Sequence, residues 1–217
     1  LVGSEMCIRD RENIGVKDSK YLTSKKRQEI YDWFFEKMAD NDWDCSVIIC
    51  PAKEIDAAVD HNGLNILETE LFADAINGLS SSTKQNISII NDACDVNCER
   101  FNNRVATKLN NWPWFNSSIE SYHKADENYL IVGLASIIAK QTRDMAIKSI
   151  EEKLGFNIGS GYPSDKFTVS ALELLLKDEP HQDVRWSWKT SQKLWKKIHG
   201  TEIPKRKLPP KNQSTLF

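Results

Sequence analysis

The chain has 217 residues, of which 40% are hydrophobic and 28% charged, the composition of a globular protein with one substantial core. Its longest nearly apolar run, Tyr129 to Ala139, is far short of the ~18 residues that span a bilayer, and residues 1–10 hold no secretory apolar region, so a cytoplasmic, non-membrane protein is expected. The net charge of −2 hides an asymmetry: Arg185 to Lys211 carries nine basic residues against Glu202 alone, a balance of +8 that leaves −10 elsewhere and suits a partner rich in phosphate.

Thr23 reads as an N-cap opening a helix to about Ala39, with Ile30, Trp33, Phe34 and Met38 on one face. Cys45 to Cys50 reads as a short strand closed by Pro51, followed by a brief helix over Ala52 to Val59 and a turn at Asn62-Gly63. Leu64, Leu67, Leu71, Ala75 and Leu79 recur at helical spacing and predict an amphipathic helix. The β-branched run Ile87-Ser88-Ile89-Ile90 predicts a buried strand. Asn97 then caps a helix with Phe101, Val105 and Leu109 one turn apart, which Trp112-Pro113-Trp114 ends before a strand over Ser117 to Tyr122.

Asn128 to Leu154 reads as one long helix, apolar nearly all round in its first half and therefore a core element, with Gly155 at its C′ position. Two more helices follow, one bearing Val169, Leu172 and Leu176, the other Trp188, Leu194, Trp195 and Ile198. From Gly200 the prolines and the Lys/Arg cluster predict a flexible tail. Strands alternating with helices give an α/β fold. Five cysteines (Cys7, Cys45, Cys50, Cys94, Cys98), an odd number without Cys-x-x-Cys spacing, read as reduced thiols rather than a zinc site.

Two acidic motifs, Asp92-Ala93-Cys94-Asp95 and His123-Lys124-Ala125-Asp126, fall where strands end, the edge on which α/β folds place their chemistry. Asp92 and Asp126 converging there would seat a hard divalent cation, Mg²⁺ or Mn²⁺. The competing reading makes each aspartate only a helix cap. Asp95 and Asp144 are further acids nearby in sequence, Asp95 reading as a cap, and His123 reads as a structural hydrogen-bonder rather than a base. Trp186 and Trp188, flanking Ser187 in a basic context, read as core packing over base stacking.

In chain order the motifs are Asp18-Ser19-Lys20-Tyr21-Leu22-Thr23, the two acidic motifs, Ala135-Ser136-Ile137-Ile138-Ala139-Lys140-Gln141-Thr142-Arg143-Asp144, Gly159-Ser160-Gly161-Tyr162-Pro163-Ser164-Asp165 and Arg185-Trp186-Ser187-Trp188-Lys189-Thr190. From about Gly15 to about Ile198 this series resembles type 2 ribonuclease H (ribonuclease HII). The resemblance implies a ribonuclease H-like mixed sheet flanked by helices, with a C-terminal helical subdomain. It also implies two-metal hydrolysis, with Mg²⁺ or Mn²⁺ held by Asp92 and Asp126. The substrates implied are RNA/DNA hybrids and duplex DNA with embedded ribonucleotides. Tyr162 would meet the sugar beside the scissile junction, and Lys20, Ser136 and Lys140 are candidate phosphate contacts.

One departure stands out. The family opens on a strand with Gly-Ile-Asp-Glu-Ala-Gly-Arg-Gly, whose Asp and Glu supply two of four catalytic carboxylates, and two more strands normally precede the Asp-Ser-Lys segment. Here that segment begins at residue 18. The expectation is therefore an atypical or non-native stretch over 1–14, a truncated catalytic domain over 15–155, a helical subdomain over 156–199 and a flexible basic tail over 200–217. A monomer with little activity in this form is expected. Gln213 to Phe217 resembles the start of a sliding-clamp-binding motif. The alternatives are a catalytically dead nucleic-acid-binding protein of the same fold and an unrelated α/β enzyme with a single metal.

Overall fold

Thr23 acts as its position predicts. In the computed structural model, which describes residues 22–206 other than 42, 62, 81 and 83, its Oγ1 accepts the Lys26 N–H at 3.2 Å and opens α1 (Ser24–Met38). The buried face of α1 carries Ile30 and Phe34, which pack with Leu134, Ile137 and Ile138. Trp43 stacks on Phe34 with ring centroids 5.6 Å apart.

Residues 45–50 do not form the predicted strand. Asp44 makes one isolated bridge, while Val47, Ile48 and Ile49 are 40, 43 and 65% exposed. A β-branched run becomes a strand only when a neighbour supplies ladder hydrogen bonds. Among the described residues the sheet consists of β1 (Ser88–Asp92) and β2 (Ser118–Tyr122), paired in parallel with Ser88 opposite Ser118 and Asp92 opposite Tyr122.

After α1 the chain forms α2 (Ala52–Asp60) and α3 (Leu64–Asn77) ahead of β1, and α4 (Cys98–Ala106) between the strands is the crossover that a parallel pair requires. Asn97 caps α4, its Oδ1 accepting the Arg100 N–H at 2.8 Å. Phe101 and Val105 of α4 pack with Ala73 of α3, beside Ile89 and Ile119 of the two strands. The most buried positions of α3 are Thr69 and Ala73, beside the Leu64-Leu67-Leu71 stripe, because Leu71 and Ala75 line a cavity instead.

The long helix expected from Asn128 to Leu154 forms, starting two residues later at Leu130. A single turn, α5 (Ala125–Asn128), precedes α6 (Leu130–Leu154), and Tyr129 between them is extended at φ −117°, ψ 115° and stacks on Tyr122 at 5.3 Å. Lys124, at the N-cap of α5, is left-handed (φ 57°). Gly155 follows α6 at φ +73°, where a side chain would be strained.

The chain divides into two compact units, one grouping residues up to Ile49 with Glu68–Ser149, the other grouping Cys50–Leu67 with residues from Ile150 onward. The second unit contains α7 (Lys166–Leu175) and α8 (Lys189–His199) around Leu172, Leu176, Val184 and Trp195. Trp186 packs against this cluster and donates its indole N–H to His181 O at 3.0 Å, which is the packing role expected of it. The chain does not come free at Gly200. Ile203 packs on the same cluster and Arg206 is tied into it, because apolar and charged partners wait for both.

Candidate active site

β1 ends on Asp92, and the parallel register sets Tyr122 opposite it. Past Tyr122 the chain turns at His123-Lys124 and starts α5, and there Asp92 Oδ1 accepts the Ala125 N–H at 2.9 Å. Asp92 is thus a cap, and the helix turn it caps carries Asp126 as its second residue. The bond is made across 33 residues rather than to a helix that Asp92 itself begins, and it ties the chain bearing the second carboxylate to the end of β1.

Both aspartates line one cavity of about 1100 Å³ in the first unit, with Glu68, Cys94 and Ser136 and an apolar wall that includes Ile90 and Leu134. Cys94 donates its S–H to Glu68, and desolvation of the sulfur first, this carboxylate second, push the thiol up to about 12. Glu68 was not singled out in the sequence. It sits four residues after Leu64 on a helix expected to be amphipathic, and an acid one turn from the leucine stripe was the available signal.

Among the described residues no three His, Cys, Asp or Glu side chains lie close enough to share a metal. Asp92 and Asp126 supply hard oxygen donors at one mouth, which fits a small divalent cation that keeps much of its water shell. Ser136 of α6 is half-buried at the same cavity, and Lys140 lies one turn further along the helix. Tyr162 belongs to the second unit and is 46% exposed. Lys20, the Gln213 to Phe217 motif and residues 1–14 lie outside the described residues.

Asp144 is committed elsewhere, accepting from Arg27 at 2.8 Å, and His123 is exposed. Asp95, 3% exposed, is not the cap expected of it, since Asn97 caps α4. It accepts from Asn97 N at 3.1 Å, twice from the Arg100 guanidinium and once from Arg104 at 3.3 Å. The Arg100 bonds first, then the Asn97 N–H and the nearby Arg104 charge, hold its carboxyl down at about 2. Unfolded, an aspartate titrates near ~3.9, so the folded state favours the charged form. This contribution is complete above about pH 4 and is lost as pH falls through the folded value of about 2. Asp95→Asn is expected to make the acid-side fall in melting temperature shallower over that window. Equal slopes for parent and variant would refute this.

The ribonuclease HII family profile matches residues 4–191. A ribonuclease HII of Methanocella arvoryzae is 43% identical over 183 residues, covering 83% of this chain and 75% of the relative. The chain belongs to the ribonuclease HII family. The family match begins ahead of Gly15, where the motif series starts. A second family member, from Thermococcus sibiricus, is 40% identical across 100% of this chain and 88% of its own length.

The ribonuclease H2 structure from Pyrococcus horikoshii superposes with a TM-score of 0.72 at 36% identity, covering 90% of this chain and 87% of that one. The ribonuclease HII in a complex with PCNA from Archaeoglobus fulgidus gives 0.69 at 29% identity, covering 89 and 85%. A Bst ribonuclease HIII solved with Mn²⁺, at 14% identity and a TM-score of 0.65 over 89% of this chain and 62% of that one, shares the fold. Family membership makes the chain a hydrolase of the ribonuclease H kind, acting on RNA/DNA hybrids. No helix among the described residues is long and apolar enough to cross a membrane.

Proposed function

We propose that this protein, when its site carries the family's four carboxylates, cleaves the RNA strand of RNA/DNA hybrids and nicks duplex DNA on the 5′ side of embedded ribonucleotides, leaving 3′-hydroxyl and 5′-phosphate ends, and that the 217 residues by themselves do so little or not at all. The observation that carries the reading is the seating of Asp92 against the Ala125 N–H, which returns Asp126 to the cavity that Asp92 lines. Asp92 and Asp126 would hold Mg²⁺ or Mn²⁺, which when bound as a pair activates water and offsets charge on the leaving oxygen. The Ala125 N–H orients the Asp92 carboxylate, leaving its second oxygen for the cation. Ser136 and Lys140, with Lys20, contact phosphates. Tyr162 meets the sugar at the junction, where the 2′-hydroxyl is the chemical handle that separates RNA from DNA. Gln213 to Phe217 docks on a sliding clamp, a reading supported by the PCNA complex of the Archaeoglobus relative. The protein works as a cytoplasmic monomer.

The 217 residues contain only two of the four carboxylates of the family motifs, and a half-furnished site holds a cation weakly and in poor geometry. The purified 217-residue chain is therefore expected to show cleavage at or near background on a duplex with one ribonucleotide, in Mg²⁺ or Mn²⁺. Fusing the family's Asp-Glu-bearing opening strands ahead of residue 15 is expected to yield metal-dependent nicking. Robust nicking by the 217 residues alone would defeat the four-carboxylate argument. Tight duplex binding without cleavage, even in the fusion, would favour a catalytically dead nucleic-acid-binding protein.

A further inference from the structure

Tyr162 stands on a loop whose amides are held by side chains. Four consecutive backbone N–H groups, those of Ile158, Gly159, Ser160 and Gly161, donate to Glu151 Oε2 at 3.0 Å, Asn157 Oδ1 at 2.8 Å, Asp165 Oδ2 at 2.7 Å and Thr168 Oγ1 at 2.9 Å. The last two acceptors begin α7. Asp165 is its N-cap, with Oδ1 accepting the Phe167 N–H at 2.9 Å, and Thr168 is its third residue. The Thr168 hydroxyl, on a residue only 5% exposed, also donates to Ile158 O at 3.0 Å. With both partners fixed, that hydroxyl has one orientation and pins both sides of the glycine turn.

The loop is pressed onto α7. A Cβ added to Gly159 (φ +68°) would stand 2.7 Å from Asp165 Oδ2 and Thr168 N and 2.8 Å from Thr168 Oγ1. Gly161 is also left-handed at φ +72°. Tyr162 follows directly, its carbonyl accepting the Asp165 N–H at 3.0 Å, while the residue remains 46% exposed. A half-exposed tyrosine on a loop whose preceding four amides are all bonded is preorganised to meet a ligand at little ordering cost. The Ser160 N–H also holds the Asp165 carboxyl below the ordinary range, so the loop keeps this acceptor at neutral pH.

We propose that Thr168 and Asp165 are positioning residues that set Tyr162 for sugar recognition, so that discrimination of ribonucleotides depends on a buried hydroxyl acting through the tyrosine. The proposal rests on the reading of Tyr162 as the residue that meets the sugar. It adds the device that makes that contact selective: a recognition group must be held to about 0.5 Å by its surroundings to discriminate.

The test reads binding by the full 217-residue chain, in a chelating buffer so that nothing is cut. Fluorescence anisotropy compares a duplex bearing one ribonucleotide with the same duplex in all-DNA form. The parent is expected to prefer the ribonucleotide duplex by about fivefold or more, the lower end of a stacked contact. Thr168→Val, which keeps shape but loses both hydrogen bonds, is expected to bring that ratio to about one while leaving the all-DNA affinity within about twofold. Thr168→Ser is expected to retain the preference. Tyr162→Ala combined with Thr168→Val should lose no more preference than Tyr162→Ala alone, because the threonine acts through the ring.

An unchanged ratio in Thr168→Val, equal losses on both duplexes, or losses that multiply in the double variant would overturn the proposal while leaving Tyr162 its role. A parent chain that binds both duplexes equally would overturn the role of Tyr162 and the proposal with it. Absence of any duplex binding would overturn the nucleic-acid reading itself. If circular dichroism shows Thr168→Val unfolded, Asp165→Asn takes its place. One amide oxygen cannot serve both the Phe167 and Ser160 N–H groups, so the same loss of preference is expected.

Discussion

Asp92→Asn and Asp126→Asn are each expected to lower cleavage at a single ribonucleotide by roughly 10²–10³-fold in the fusion carrying the family's Asp-Glu-bearing strand. A cation that stabilises the transition state is worth several kcal/mol, and each ~1.4 kcal/mol is a factor of ten in rate. The amide keeps the side chain's shape and removes the charge that retains the cation. In Asp92→Asn the amide oxygen can still accept the Ala125 N–H, so α5 stays capped and the melting temperature should change little. Asp92→Ala loses the cap as well and should cost a further ~0.5–2 kcal/mol of stability. The two Asp92 variants separate the two jobs of this residue. If Asp92→Asn turns over near the parent rate across a Mg²⁺ series while Asp92→Ala is merely unstable, Asp92 is a cap and its metal role is wrong.

What could be read from the residues was what neighbours in sequence decide. Thr23 and Asn97 cap the helices they precede, and Gly155 ends α6 in the left-handed region, because each outcome turns on contacts within a few residues. The run from Cys45 to Cys50 has strand-forming residues, but a strand is a property of pairs and no ladder partner meets it among the described residues. The long core helix was legible from its apolar run, and only its start, at Leu130 rather than Asn128, was not: Tyr129 is extended there and stacks on Tyr122. Glu68 was hidden by the leucines around it. The hydrogen bonds that hold Tyr162 in place were half legible: the glycines announced a turn, but nothing local assigns the Gly161 amide to the hydroxyl of Thr168 seven residues on.

The least legible contact predicts the largest loss of stability. Asp56 of α2 is 4% exposed, and its carboxylate is saturated by residues about 130 to 150 positions away. Oδ1 accepts the Ser187 N–H at 3.0 Å and the Ser187 hydroxyl at 2.6 Å, while Oδ2 accepts the Trp186 N–H and Arg206 Nε, each at 3.0 Å. Arg206 also donates to Gln182 O at 2.9 Å and Val184 O at 2.6 Å and lies 4.2 Å from the Trp186 ring. Asp56→Ala would leave a guanidinium and two amides facing an empty, dry space, and removing one partner of such a pair costs about 3–5 kcal/mol. Asp56→Asn should be nearly as damaging, because its NH₂ must confront two of the donors whichever way the amide is turned. Arg206→Lys should also fail to restore stability, since one ammonium cannot reproduce a fork that spans a carboxylate and two carbonyls. Urea unfolding followed by tryptophan fluorescence reads these losses directly. Asp56→Ala within about 1 kcal/mol of the parent would mean that water reaches the site and that the pair does not hold the second unit together.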